Sequence, residues 1–156
     1  MKSKESLFSR RISKVVNAIF LLTALYFSLP AHCQRLDLRN EEYNLVMQMD
    51  LTNQDIIIPE HELYGPVAGF IGKANNNFYW IAVSAKSTPK GNIIELINDF
   101  GSENLTAKIV QINDSIFEFT QLKGSALKLP EKGKWQKLPT TLTFRSYKRI
   151  PKKNTP

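Results

Sequence analysis

The sequence predicts a single all-β domain of seven to eight short antiparallel strands, closed into a small barrel or packed as a β-sandwich, behind a cleaved signal peptide. Three observations carry this reading. From residue 43 onward apolar and polar residues alternate with period two, the spacing of half-buried strands. Clusters of Gly, Pro, Asn and Asp interrupt the alternation roughly every ten residues, as in small sandwiches and barrels. No long amphipathic helix follows residue 33. The alternative architecture is an open antiparallel sheet with a short helix. The boundaries expected are 1–33 for the export segment, 34–42 for a polar lead-in, 43–150 for the β domain and 151–156 for a basic disordered tail.

Residues 1–33 have the three-part organisation of an export signal. Lys2, Lys4, Arg10, Arg11 and Lys14 make a basic start, offset by Glu5, and an apolar run covers Val15 to Leu29. That run is shorter than the roughly 20 residues a spanning helix needs. Pro30 ends it, and Ala31 and Cys33 supply small residues at the −3 and −1 positions of a cut after Cys33. A lipid anchor on Cys33 is the lesser reading, because His32 and Pro30 stand where a lipoprotein signal carries a small residue and a leucine. The apolar core also argues against a mitochondrial presequence. The expected location is periplasmic or secreted. Loss of residues 1–33 removes the only cysteine and leaves His61 as the only histidine, which excludes disulfides, thiol nucleophiles and redox switching.

The elements follow in order. Residues 44–52 place Leu45, Met47, Met49 and Leu51 on one face, and Ile56-Ile57-Ile58 is a short β-branched run stopped by Pro59. Residues 67–73 form a strand whose Gly69 and Gly72 point to a bend, a bulge or close backbone approach. Lys73 to Asn77 turn into 78–86, apolar on both faces and so expected to be central and doubly covered. Thr88-Pro89-Lys90-Gly91 turns into 92–100, and Gly101 to Asn104 into 105–112. Asn113-Asp114 makes a tight hairpin with 115–122. In that hairpin Leu105, Ala107, Ile109, Phe117 and Phe119 face inward and Lys108 and Glu118 outward. Residues 123–138 read as a loop or short strand broken by Pro130 and Gly133, and 140–147 as the last strand. Sequential, hairpin-linked strands favour an up-and-down, lipocalin-like barrel. A processed chain of this length buries about two thirds of its extended surface without staples.

Charge is split along the chain. Residues 34–131 carry 8 basic and 13 acidic side chains, whereas 132–156 carry 8 basic and none acidic. Such asymmetry speaks to partners rather than to fold. Lys132, Lys134, Trp135, Lys137, Arg145, Lys148 and Arg149 form the candidate patch for an anionic partner: a lipopolysaccharide, an acidic glycan or an acidic protein. Nucleic acid is disfavoured by export, and the membrane is expected as a partner only during export. Trp135 among lysines suits sugar stacking, but burial as a core plug is its default. Core packing is likewise the default for Phe78, Tyr79 and Trp80.

Catalytic sets are thin. Glu60-His61-Glu62 alternates faces on an extended chain and has no further His or Cys to complete a zinc site, so it reads as a solvated loop. Ser84, Ser102, Ser115 and Ser125 would all need His61 as base, and none sits in a Gly-x-Ser-x-Gly elbow. Glu95 and Asp99, on one strand face, would stand about 13 Å apart, too far for a paired acid and base. Two glycosylation sequons occur, at Asn104 and Asn113, and Asp114-Ser115-Ile116 resembles an O-glycosylation motif of exported proteins in Gram-negative gut commensals, with Ser115 as acceptor. The expected function is a non-enzymatic binding module without cofactor or metal, inhibitor- or immunity-like. A lipocalin-like carrier of a small apolar ligand is the alternative, and a hydrolase the third reading.

Overall fold

The computed structural model describes residues 35–147. The expectations for the export segment, Cys33, Lys148, Arg149 and the 151–156 tail lie outside the described residues. Ten strands are present: β1 (Arg35–Asn40), β2 (Leu45–Asp50), β3 (Gly69–Lys73), β4 (Tyr79–Thr88), β5 (Gly91–Asn98), β6 (Asn104–Gln111), β7 (Ile116–Gly124), β8 (Lys128–Glu131), β9 (Lys134–Lys137) and β10 (Thr141–Ser146). Eight of them close an antiparallel barrel in the order β1-β10-β7-β6-β5-β4-β3-β2, and β8 and β9 form a separate two-stranded sheet. Barrel rather than sandwich is the outcome.

The barrel closes around the inward-facing apolar residues of its strands. Leu45, Met47 and Met49 of β2, Ile94 and Leu96 of β5, Leu105, Ala107 and Ile109 of β6, and Phe117 and Phe119 of β7 all enter one continuous core with Trp80 and Phe144. Burial of such side chains contributes about 1.5–3 kcal/mol each. Most charged residues of the wall are exposed, with Asp50 and Lys73 buried exceptions. Among the described residues no helix is long and apolar enough to cross a membrane.

One expectation needs correction and one alternative is decided. The stretch 34–42 is no lead-in: residues 35–40 are β1, pairing with β2 from Arg35↔Asp50 to Asn40↔Leu45. Only Leu36 and Leu38 are apolar there, so alternation is hard to see among charges, yet both are buried and close the barrel. The stretch 123–138, read as a loop or a short strand, takes the strand alternative. It completes β7 and then forms the β8–β9 hairpin, turning at Lys132 (φ 49°) and Gly133 (φ 77°). Two successive left-handed residues are what a two-residue hairpin turn requires.

Residues 51–68 leave the barrel and fold back over its outer wall. Ile56 and Ile58 pack on Phe70, Tyr79 and Ile81 in a second buried cluster outside the barrel. An Ile56↔Val67 bridge ties the excursion together. This is why the first half of β4 is apolar on both faces. Gly69, in β3, has no room for a side chain: a Cβ there would lie 2.1 Å from the Gln48 backbone oxygen.

Candidate functional site

Up-and-down connectivity gathers the connections 41–44, 74–78, 99–103 and 125–140 at one mouth of the barrel. The last of these carries the β8–β9 hairpin, and alternation decides what each of its residues does. Leu127, Leu129, Glu131, Gln136 and Leu138 share the inner face, as their pairing shows. Leu127, Leu129 and Leu138 are buried in the barrel core and stopper the mouth. Glu131 and Gln136 both accept hydrogen bonds from the Lys73 Nζ, the latter at 2.8 Å. Lys73 is only 4% exposed, and this pair of acceptors is what makes its burial tolerable. The Lys73 hydrogen bond holds the Glu131 carboxyl below its ordinary range, against some desolvation.

The hairpin's other anchors come from the wall. Trp80 Nε1 donates to the Lys128 carbonyl at 2.8 Å, and Lys128 Nζ pairs with Glu103 at 2.9 Å. Trp80 is fully buried and is the plug that composition suggested for Trp135. Trp135 lies on the opposite, outer face of β9 and is 54% exposed. The plug expectation for it fails because Gln136, one residue on, must point inward to Lys73.

Around Trp135 the rim is aromatic. Its ring meets Phe78 edge-to-face at a centroid distance of 5.0 Å and Phe100 at 6.4 Å, and Phe78 meets Phe100 at 5.2 Å. Phe78 is buried, whereas Phe100, at the tip of the β5–β6 turn, is 71% exposed. Sequence reading placed Phe100 at the end of a strand. The cue that could have found it is the pair Asp99-Phe100 directly before Gly101, an aromatic at a turn apex.

Asp99 links this rim to the 51–68 excursion. His61 Nε2 lies 3.2 Å from Asp99 Oδ1, and Tyr64 donates its hydroxyl to the same carboxylate at 3.2 Å. His61 stacks on Tyr64 at 5.8 Å and meets the edge of Tyr79 at 5.5 Å. Burial lowers the His61 pKa, but the Pro59 carbonyl and Asp99 outweigh it, so the imidazole titrates above its ordinary value. The Tyr64 and Tyr79 hydroxyls are raised, by burial first and then by the nearby carboxylates. Of Glu60-His61-Glu62, the two glutamates are exposed as a solvated loop would have them, whereas His61 is partly buried against rings beside a short 3-10 helix, Glu62–Tyr64.

The predicted basic patch divides. Lys132, Lys134, Trp135 and Lys137 sit together on the hairpin, but Arg145 lies on the side wall opposite Arg39. Arg39 in turn stacks on Tyr147 at 5.1 Å. Ser115 is exposed in the turn between β6 and β7, where Asn113 Oδ1 accepts from the Ser115 and Ile116 amides at 3.0 and 2.9 Å. Glu95 and Asp99 do not share a strand face: Glu95 faces Ser84 across the wall, and Asp99 has left β5 for the turn. Among the described residues no three His, Cys, Asp or Glu side chains gather as a metal site. A shallow groove of about 320 Å³ crosses the outer wall between Val83, Glu95 and Lys123. No protein-family model, curated protein or solved structure matches this chain.

Proposed function

We propose that this chain is an exported, non-enzymatic binding module, periplasmic or secreted, that holds a protein or anionic envelope partner on the aromatic and lysine-rich mouth of its barrel, in the manner of an inhibitor or immunity protein. The observation that supports it is the exposure of Phe100 and Trp135 at 71% and 54% beside buried Phe78. Large rings left in water at one rim, with Lys132, Lys134 and Lys137 around them, have the composition of a contact centre, since aromatic residues dominate the energetic core of interfaces. The continuous apolar cluster inside the barrel favours surface contact over the carrier reading. The engagement of both His61 ring nitrogens, by Pro59 and Asp99, favours a structural use of that residue.

Immobilised processed protein and a Phe100→Ala/Trp135→Ala variant test this by capture from envelope extract. The parent should retain one stoichiometric partner and the double variant about tenfold less or lower still, the loss of one to two contact residues. Because both rings are exposed, the variant should keep its circular dichroism spectrum. Equal retention by the variant overturns the reading. Recovery of the protein from the cytosol with residues 1–33 attached overturns its export half; recovery with Gln34 at the N-terminus supports it.

A further inference from the structure

The barrel wall closes on itself, so each of its eight strands has a neighbour on both sides. Among the described residues the β8–β9 hairpin is the sheet that stands outside the ring, so each of its strands has one edge without a neighbouring strand. Its two edges are not equivalent. The Leu138 amide donates to the Leu127 carbonyl at 2.9 Å, which makes Leu127 and Leu138 a hydrogen-bonded pair. Antiparallel pairing alternates, so Leu129–Gln136 and Glu131–Lys134 are the next bonded pairs, and Lys128–Lys137 and Pro130–Trp135 lie between them. The main-chain groups of Lys128 and Pro130 therefore point off the β8 edge, and those of Trp135 and Lys137 off the β9 edge.

The β8 edge is the poorer template. Proline 130 has no amide hydrogen, and the Lys128 carbonyl accepts from Trp80. The β9 edge offers the amides and carbonyls of Trp135 and Lys137, two residues apart, the repeat at which an added strand forms its hydrogen bonds. We infer that β9 is a strand-addition site for an extended, acidic polypeptide segment, whose main chain pairs with Trp135 and Lys137 while its carboxylates lie on the Lys134 face, toward Lys134 and the turn residue Lys132, and its apolar side chains lie on the other face against Trp135 and Phe100.

Charge selects this occupant. The acids of the hairpin region are spent internally, Glu131 on Lys73 and Glu103 on Lys128, so the three lysines of the turn and β9 are left as the unbalanced charge of this edge. A second copy of the chain is disfavoured by the same charges, because β9–β9 pairing would bring the lysines of two hairpins to one edge. The inference rests on the reading of the mouth as a contact surface and adds the chemistry of the partner.

The test titrates the 15N-labelled exported protein with three probes: an acetylated peptide alternating Glu and Val, its fully N-methylated copy, and a peptide alternating Lys and Val. Heparin serves as an anionic glycan. The Glu/Val peptide should slow amide exchange at Trp135 and Lys137 at least tenfold and leave Lys134 and Gln136, already bonded to β8, unchanged. The N-methylated and Lys/Val peptides should slow exchange at none of these amides, and Lys134→Glu/Lys137→Glu should abolish the effect of the Glu/Val peptide. Equal protection by the N-methylated copy or by heparin, or no protection by the Glu/Val peptide at millimolar concentration, overturns strand addition. Where that failure coincides with lost envelope capture in the Phe100→Ala/Trp135→Ala variant, the contact surface stands and the partner chemistry is wrong. Unchanged capture overturns the surface itself.

Discussion

Lys132 is a residue whose backbone and side chain pull in different directions. It occupies the first central position of the β8–β9 turn with φ at 49°, a conformation that Asn and Gly adopt far more readily than a long side chain. Its partner Gly133, at φ 77°, is the expected residue type. A local rule broken at an exposed turn beside Trp135 marks a position where stability has been given up for a cation. Lys132→Asn should therefore stabilise the protein by about 0.5–1 kcal/mol in chemical denaturation, because it relieves left-handed strain. The same variant should bind the partner more weakly at low salt, with the difference shrinking as salt screens the remaining lysines. A variant that is no more stable than the parent would remove the argument that the lysine is there for contact.

At the scale of elements, the 51–68 excursion is held to the wall at its base by the Ile56↔Val67 bridge and at its tip by His61 and Tyr64 on Asp99. Because the folded imidazole titrates above its ordinary value of 6.5, protonation favours the docked segment. That contribution is fully present below the ordinary value and fades as pH rises through the elevated one. Hydrogen exchange at the Ile56 and Val67 amides should be slower at about pH 5.5 than at about pH 8.5, after correction for the intrinsic pH dependence. His61→Gln should remove that difference; if it persists in the variant, the latch is elsewhere. Legibility from sequence also divides by element. The inward faces of β6 and β7 are readable because Leu105, Ala107 and Ile109, and Phe117 and Phe119, alternate with polar residues without interruption. Strand β1 is hidden because two leucines among charges carry too little pattern. Trp135 misleads because composition says that tryptophan is buried, whereas its face is set by a neighbour, Gln136, needed by a lysine 63 positions earlier. The pairing of Asp99 with His61, 38 residues away, is likewise invisible until the excursion folds back.

The whole molecule depends on one long-range closure. Strands β1 and β10 come from opposite ends of the described chain and share two registered pairs, Leu38↔Ser146 and Arg39↔Arg145, whereas β4 and β5 share eight. One of those two pairs sets Arg39 opposite Arg145, an unfavourable juxtaposition. The seam is reinforced from the side: the Tyr147 amide donates to the Asp37 carbonyl at 3.0 Å, and buried Asn40 donates to the Thr143 carbonyl at 2.9 Å while its Oδ1 accepts from the Tyr43 amide at 2.8 Å. Asn98 plays a matching part inside a local hairpin, where its Oδ1 accepts from Ser102 and Glu103. Each asparagine is itself buried and bonds part-buried main-chain groups, so Asn40→Ala and Asn98→Ala should both cost about 1–3 kcal/mol in denaturant unfolding. Their effects on opening should differ. Loss of Asn40 weakens the one seam whose closure spans the described chain, so amides of β1 and β10 should exchange faster while β5 and β6 keep their protection. Loss of Asn98 leaves the seam intact and loosens only the 99–103 turn, the turn that carries Phe100 to the rim. Partner capture should accordingly fall in Asn98→Ala and hold in Asn40→Ala under conditions where both remain folded. If exchange rises uniformly over all eight barrel strands in both variants, the barrel opens as a single unit, and the mouth owes its shape to the whole ring rather than to the turn beneath it.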